Sequence, residues 1–126
     1  MVPVEADEIN VLKWMSRNLP DNSIILSIPE NGQFIEYMTK KQVFFSLHES
    51  RNEKKATSAK IIFEALYIDT LFPSLEENNV SHIYINRKVK NSLRDDQGLQ
   101  FLLKNERFKL VHSHERVEVW EFSPKG

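Results

Sequence analysis

The feature that most constrains the fold is a short apolar run near the amino end, Ser23-Ile-Ile-Leu-Ser-Ile28. Two turn-forming tetrapeptides enclose it, Leu19-Pro-Asp-Asn22 before it and Pro29-Glu-Asn-Gly32 after it. A run of this length that is dense in Ile and Leu is typical of a strand buried on both faces. Such strands belong to parallel sheets covered by helices, so the run predicts an α/β domain.

The segment before the run has helical spacing. Its apolar stripe is formed by Ile9, Leu12 and Met15. Asp7 and Glu8 lie where the amino end of a helix favours acidic residues. These patterns predict a first helix that ends before Pro20.

The segments after the run alternate in the same way. They predict a helix at Gln33–Met38, a strand at Gln42–Leu47, helices from about Ala59 to Tyr67 and from about Thr70 to Asn78, a strand at Val80–Ile85, short helices at Asn91–Arg94 and Gln97–Lys104, and strands at Phe108–His112 and Val117–Phe122. His48–Ser58 has no apolar pattern and is expected to form the longest loop. Pro73 is expected to be tolerable only in the first turn of its helix.

This order predicts one α/β domain over residues 1–126, a three-layer sandwich with a mixed sheet. Parallel strands linked by helices should form its centre. The last two strands, joined by Ser113–Arg116, are close enough in sequence to form an antiparallel hairpin at one edge.

Composition excludes several classes of function. The chain has 126 residues, a formal net charge of -1 and no cysteine. The absence of cysteine excludes disulfides, thiolate nucleophiles and iron–sulfur clusters. The near-neutral charge gives no global reason to bind nucleic acid.

No apolar run reaches the roughly 18 to 20 residues that span a bilayer, and the acidic start lacks the pattern of a signal peptide. The chain is expected to be soluble, either as a whole protein or as a fragment of a larger membrane protein.

The loop expected at Pro29–Gly32 is the best candidate for a binding site. It has one glycine and neither the lysine nor the hydroxyl residue of a phosphate-binding loop, so a nucleotide fingerprint is absent. Two interpretations remain. In one, the segment is a turn in which Asn31 or Gly32 adopts a positive φ or caps the next helix. In the other, it contacts a polar ligand such as a sugar, and the contact residues are Glu30, Asn31, Gly32 and Tyr37.

No catalytic constellation, metal site or cofactor is predicted. His112 and His114 could face the same way on a strand and bind a metal with Glu115, but this spacing has no further support. Asp95 and Asp96 are interpreted as a turn or helix cap, and no serine has the glycines of a nucleophile elbow. Two basic clusters are interpreted as solvated surface because aromatic residues do not interleave with them: Arg51, Lys54, Lys55 and Lys60, and Arg87, Lys88, Lys90 and Arg94.

One modification motif is present. Asn79-Val-Ser81 is a glycosylation sequon immediately before the strand predicted at Val80–Ile85. It matters only if the protein is exported.

Several stretches resemble a recurring soluble domain at the carboxyl end of multispanning archaeal and bacterial membrane proteins. Those proteins are similar to lipid-phosphosugar-dependent glycosyltransferases of the protein-mannosyltransferase and oligosaccharyltransferase-like group. The stretches are Val11–Ser27, Pro29–Tyr37, Gln42–Phe45, Leu71–Ile85, Phe101–Val111 and Val117–Phe122. The resemblance is a pattern of packing and turn residues that covers nearly the whole chain. At the family's Tyr-Ala or Tyr-Tyr pair this chain has Tyr37-Met38.

The resemblance implies a non-catalytic extracytoplasmic domain, since the catalytic acidic residues of that group belong to the membrane-embedded part. Its expected partners are the membrane-embedded part of the same polypeptide and a glycan or acceptor. The alternative is a free-standing cytosolic α/β domain that binds a nucleotide or another small ligand at the carboxyl ends of its strands.

Overall fold

The computed structural model describes residues 6–27, 29–44, 53–65, 67–86, 102–115 and 117–123. Its elements are α1 (Ala6–Asn18), β1 (Ile24–Leu26), α2 (Pro29–Thr39), β2 (Gln42–Val43), α3 (Glu53–Glu64), α4 (Ile68–Glu77), β3 (His82–Ile85), β4 (Phe108–His114) and β5 (Val117–Phe122).

The five strands form one mixed sheet in the order β2-β1-β3-β5-β4. β1 pairs in parallel with both β2 and β3. β5 pairs antiparallel with β3 and with β4, so the terminal hairpin forms one edge. This arrangement confirms the predicted mixed sheet with a parallel part and an antiparallel hairpin.

Helices cover both faces of the sheet. Successive strand residues point to opposite faces, and Tyr84 packs with α1 and α2 whereas Ile83 and Ile85 pack with α3 and α4. Each face therefore has its own buried apolar cluster, with the sheet between them. The predicted three-layer sandwich is confirmed.

Two helices begin at least one turn earlier than their apolar spacing predicts. α2 begins at Pro29. Proline is tolerated in the first turn because the N–H group that it lacks would have no hydrogen-bond partner within the helix. α3 begins at Glu53, so the prediction of a loop is wrong for residues 53–58. That part of α3 reads Glu-Lys-Lys-Ala-Thr-Ser, in which four strong helix formers need no buried face to favour the helix.

The prediction for Pro73 is also wrong, because α4 begins at Ile68 and Pro73 is its sixth residue. Proline at this position cannot donate to the carbonyl of Asp69. Both residues are exposed, so water can bond to that carbonyl.

The strands differ from the prediction mainly in length. β1 and β2 are shorter, and residues 45–47 lie outside the described residues. β4 continues to His114, so the turn of the hairpin is shorter than the predicted Ser113–Arg116. The predicted helix at 91–94 and most of the helix at 97–104 also lie outside the described residues. Among the described helices, none combines the length and the hydropathy that crossing a lipid bilayer requires.

Candidate functional site

The residues predicted to form a binding loop lie in the first turn of α2. The prediction of a loop is wrong, since Glu30, Asn31 and Gly32 are all helical. The backbone of Asn31 is therefore not in the left-handed region, and Gly32 is buried in the helix. The segment still follows β1 directly, at the carboxyl end of that strand.

Tyr37 lies two turns farther along α2. It is seven positions after Glu30, which is about 10 Å along the axis and places the two positions on the same side of the helix. The Tyr37 ring is 68% exposed, and the Lys40 ammonium lies 4.8 Å from its centroid. The four predicted contact residues thus share one helix, but Tyr37 is separate from the turn that contains the other three.

A buried polar cluster that the sequence reasoning missed lies at the ends of α1 and β3. Glu8 Oε1 accepts a hydrogen bond of 2.7 Å from the Tyr84 hydroxyl and one of 3.0 Å from Asn86 Nδ2. All three residues are almost completely buried. Since buried polar groups are stable only when hydrogen-bonded, this cluster fixes the first turn of α1 against the sheet.

The signal for this cluster was present in the helical spacing. Glu8 precedes Val11, Leu12 and Met15 by three, four and seven residues, so it continues their buried stripe by one turn. A carboxylate on an apolar stripe needs a donor from a neighbouring element. The position of Glu8 near the amino end of the helix predicts only a favourable interaction with the helix dipole.

The cluster and the first turn of α2 lie at the same end of the sheet, where β1 and β3 have their carboxyl ends. β1 and β3 are adjacent and parallel, so their carboxyl ends meet there. Ser27, directly after β1, is fully buried, and Asn86 directly follows β3. In open α/β sheets this end is where ligands bind. The carboxyl ends of β1 and β3 are therefore the candidate site, and the start of α2 forms its outer part.

The two histidines at the hairpin both contact α1 but have separate partners. His112 stacks on Trp14 with 4.2 Å between ring centroids and 8° between planes. His114 Nε2 lies 3.2 Å from Asp7 Oδ1. Burial lowers the pKa of His112, and the nearby His114 lowers it further. Glu115 has a φ of 55° in the turn. In the part of the chain that the structure describes, no three His, Asp or Glu side chains are placed to hold a metal ion.

His82 is the most buried histidine among the described residues, with 3% of its surface exposed. Its Nδ1 lies 2.8 Å from the Ser81 hydroxyl, and its Nε2 lies 3.8 Å from Glu121. Burial lowers the pKa of His82, and the negative charge of Glu121 partly opposes this. This position gives His82 a structural role in the sheet.

The glycosylation sequon lies at the other end of the strands, in the turn between α4 and the amino end of β3. Asn79 is exposed with a φ of 57°. The Ser81 hydroxyl accepts a 2.9 Å hydrogen bond from Ile24 N and lies 3.2 Å from Ile24 O. Modification of Asn79 stays a prediction. Asp95, Asp96 and most of the two predicted basic clusters lie outside the described residues, whereas Lys54 is exposed on α3.

Comparison with known proteins identifies the fold. No family model and no curated protein matches the sequence. A solved C-terminal globular domain of oligosaccharyltransferase from Archaeoglobus fulgidus is similar, with a TM-score of 0.76 and 16% identity, over 97% of this chain and all of that one. A second such domain from the same organism gives a TM-score of 0.63 and 14% identity, over 97% of this chain and 98% of that one. The chain has the fold of these C-terminal oligosaccharyltransferase domains, as its sequence resemblance predicts.

Proposed function

We propose that this chain is a non-catalytic extracytoplasmic domain of a membrane-bound, glycosyltransferase-like protein. The supporting observation is the extent of the structural match, which covers 97% of this chain and all of the oligosaccharyltransferase domain. A match over the whole of both chains favours a shared role as a domain rather than a shared local motif. The role is to pack beside the membrane-embedded part of the same polypeptide or to help hold an acceptor or glycan near it.

The positions of the polar side chains support a non-catalytic role. His82 is buried, His112 stacks on an indole ring, and His114 pairs with Asp7. A general base must reach a proton on a substrate, which the buried His82 ring cannot do. Chemistry on the sugar then belongs to the membrane-embedded part.

The first turn of α2 is the proposed contact surface for the glycan or acceptor. Glu30, Asn31 and Gly32 lie at the carboxyl end of β1, and Tyr37 lies two turns farther along α2 on the same side of the helix as Glu30. The buried cluster of Glu8, Tyr84 and Asn86 lies at the same carboxyl ends of the strands, where it joins α1 to β3.

The native protein tests this proposal. An antibody raised against the chain is used to detect the protein in its own cells, and its apparent mass and sedimentation with membranes are recorded. We expect a species larger than 14.8 kDa that requires detergent for extraction. A species of about that mass in the soluble fraction would overturn the proposal.

The second candidate function is a free-standing cytosolic domain that binds a nucleotide or another small ligand. It is favoured by the adjacent, parallel carboxyl ends of β1 and β3, which is the usual place for such ligands. A ligand that binds only the folded state raises the melting temperature. Thermal-shift screening of the chain with nucleotides therefore tests this candidate, and the absence of any shift would count against it.

A further inference from the structure

A cleft opens at the other end of the strands from the candidate site, beside the amino end of β3. It has a volume of about 340 Å³, which is within the usual range for small-molecule sites. Its lining residues come from the end of α4, the turn that follows it and β5: Leu75, Glu76, Asn79, Val80, Ser81 and Phe122.

The cleft combines an apolar floor with a polar rim. Leu75, Val80 and Phe122 are buried and form the floor. Glu76 and Asn79 are exposed and form the rim. A few polar groups around an apolar surface are the usual composition of a site for a small organic ligand.

Arg107 neutralises the charge of the rim. Its Nη2 lies 3.6 Å from Glu76 Oε2, which is close enough for an ion pair but too long for a hydrogen bond. The guanidinium lies over two aromatic rings, with Cζ 4.3 Å from the Phe72 centroid and 4.9 Å from the Phe122 centroid. Its Nε donates to the carbonyl of Ser123 at 2.9 Å. These contacts hold Arg107 in place and leave the Glu76 carboxylate able to accept hydrogen bonds from a ligand.

Asn79 presents its amide at the rim in a fixed backbone conformation. Its φ of 57° is in the left-handed region, which asparagine tolerates better than most residues. Its backbone N–H donates to the carbonyl of Glu76, which fixes the turn. Within the described part of the chain its side-chain amide makes no hydrogen bond, so both its donor and its acceptor can serve a ligand.

We propose that this cleft binds a neutral, hydroxyl-rich ligand of the size of one sugar residue. Glu76 accepts hydrogen bonds from its hydroxyl groups, and the Asn79 amide both donates to them and accepts from them. The apolar side of the sugar ring covers the floor at Val80 and Phe122. Because Glu76 and Arg107 cancel each other's charge, the cleft does not favour a phosphate. This site goes beyond the proposed function, whose contact surface lies at the other end of the strands.

The test is a titration of the ¹⁵N-labelled chain with the methyl glycosides of glucose, mannose and N-acetylglucosamine, followed by NMR. Each is added to about 10 mM, which is sufficient to detect a Kd of about 1 mM. We expect saturable shifts at residues 75–81 and at Phe122 with at least one glycoside, and none with inorganic phosphate.

Two substitutions and a matched control make the test specific. Glu76→Gln removes the charge that strengthens the hydrogen bonds, and Asn79→Gly removes the amide while keeping a residue suited to positive φ. Each should weaken binding about tenfold. Glu77→Gln changes an exposed neighbour that does not line the cleft, and it should leave the affinity unchanged.

Two results would overturn the inference. One is the absence of saturable shifts at the cleft with all three glycosides. The other is binding that neither Glu76→Gln nor Asn79→Gly weakens. Shifts confined to α2 are a case of the first result, and they would support the contact surface proposed there, so the two proposals fail separately.

Discussion

At the scale of single residues, the hydrogen bond between Tyr84 and Glu8 is the clearest test of the buried cluster. Tyr84→Phe keeps the ring and removes the 2.7 Å donor to the buried carboxylate. We expect the free energy of unfolding to fall by about 1–3 kcal/mol, because a buried acceptor loses a partner. Urea unfolding measures the change. Tyr37→Phe is the control, since that ring is 68% exposed and its loss should be near zero. Equal effects of the two substitutions would contradict the structural role of the cluster.

The proposed contact surface on α2 gives a second prediction at this scale. Glu30→Ala and Asn31→Ala should leave the unfolding midpoint nearly unchanged, since both lie in the first turn of a helix. They should weaken binding of a glycan or acceptor about tenfold each. The control is Glu77→Ala on α4, on the other face of the sheet. Affinity that survives both α2 substitutions would remove this turn from consideration.

His82 should make stability depend on pH. Burial lowers its pKa in the folded state, whereas the unfolded chain has a pKa of about 6.5. Below that pH the unfolded state binds more protons, so stability decreases as the pH falls from about 6.5 through the folded pKa. His82→Gln should reduce this decrease. Urea unfolding at several pH values measures it, and an unchanged pH profile in the variant would show that His82 is not responsible.

At the scale of the elements, α4 contains a proline in its interior that is expected to destabilise the helix. Pro73 is exposed, and it removes the N–H group that would bond to Asp69. Pro73→Ala should raise the free energy of unfolding by about 1–2 kcal/mol, since the restored hydrogen bond outweighs the greater freedom of the unfolded chain. Thermal and urea unfolding measure the gain. A loss of stability would mean that packing of the proline ring is more important than the hydrogen bond.

The starts of α1 and α3 show two different causes of helix formation, burial of an apolar stripe and intrinsic helix propensity. The apolar stripe of α1 was readable because Val11, Leu12 and Met15 are buried at helical spacing. α3 begins with a polar stretch that has no such stripe, so periodicity predicts a loop there. Intrinsic helix propensity favours the helix at the amino end of α3, and the spacing of apolar residues does not report this propensity.

At the scale of the whole molecule, one sheet carries both apolar clusters, so the two faces should unfold together. Trp14 packs against the cluster under α1 and α2, and Trp120 packs against the cluster under α3 and α4. In the single-tryptophan variants Trp14→Phe and Trp120→Phe, the fluorescence curve in urea should coincide with the far-ultraviolet circular dichroism curve. A fluorescence transition that precedes the circular dichroism transition in only one variant would show that its face opens independently.

The structural match at 16% identity indicates how much of this fold tolerates sequence change. Cores accept extensive apolar replacement when volume and pattern are kept. The two chains share a fold over nearly their whole length, and alternation of buried strands and helices specifies this kind of fold. A sequence that keeps this alternation can keep the fold while its surface residues, and hence its binding contacts, diverge.

The sequence alone determined the fold class, the order of most elements, the terminal hairpin and the resemblance to the oligosaccharyltransferase domain. Each of these depends on local periodicity or on turn residues, which are properties of neighbouring positions. Only the tertiary structure joined Glu8 to Tyr84 and Asn86, 76 and 78 residues away, and joined Arg107 to Glu76 at the cleft beside the amino end of β3. Such contacts depend on which strands become neighbours and on which face each side chain points to. That choice is made by packing of the whole chain, and no local pattern records it.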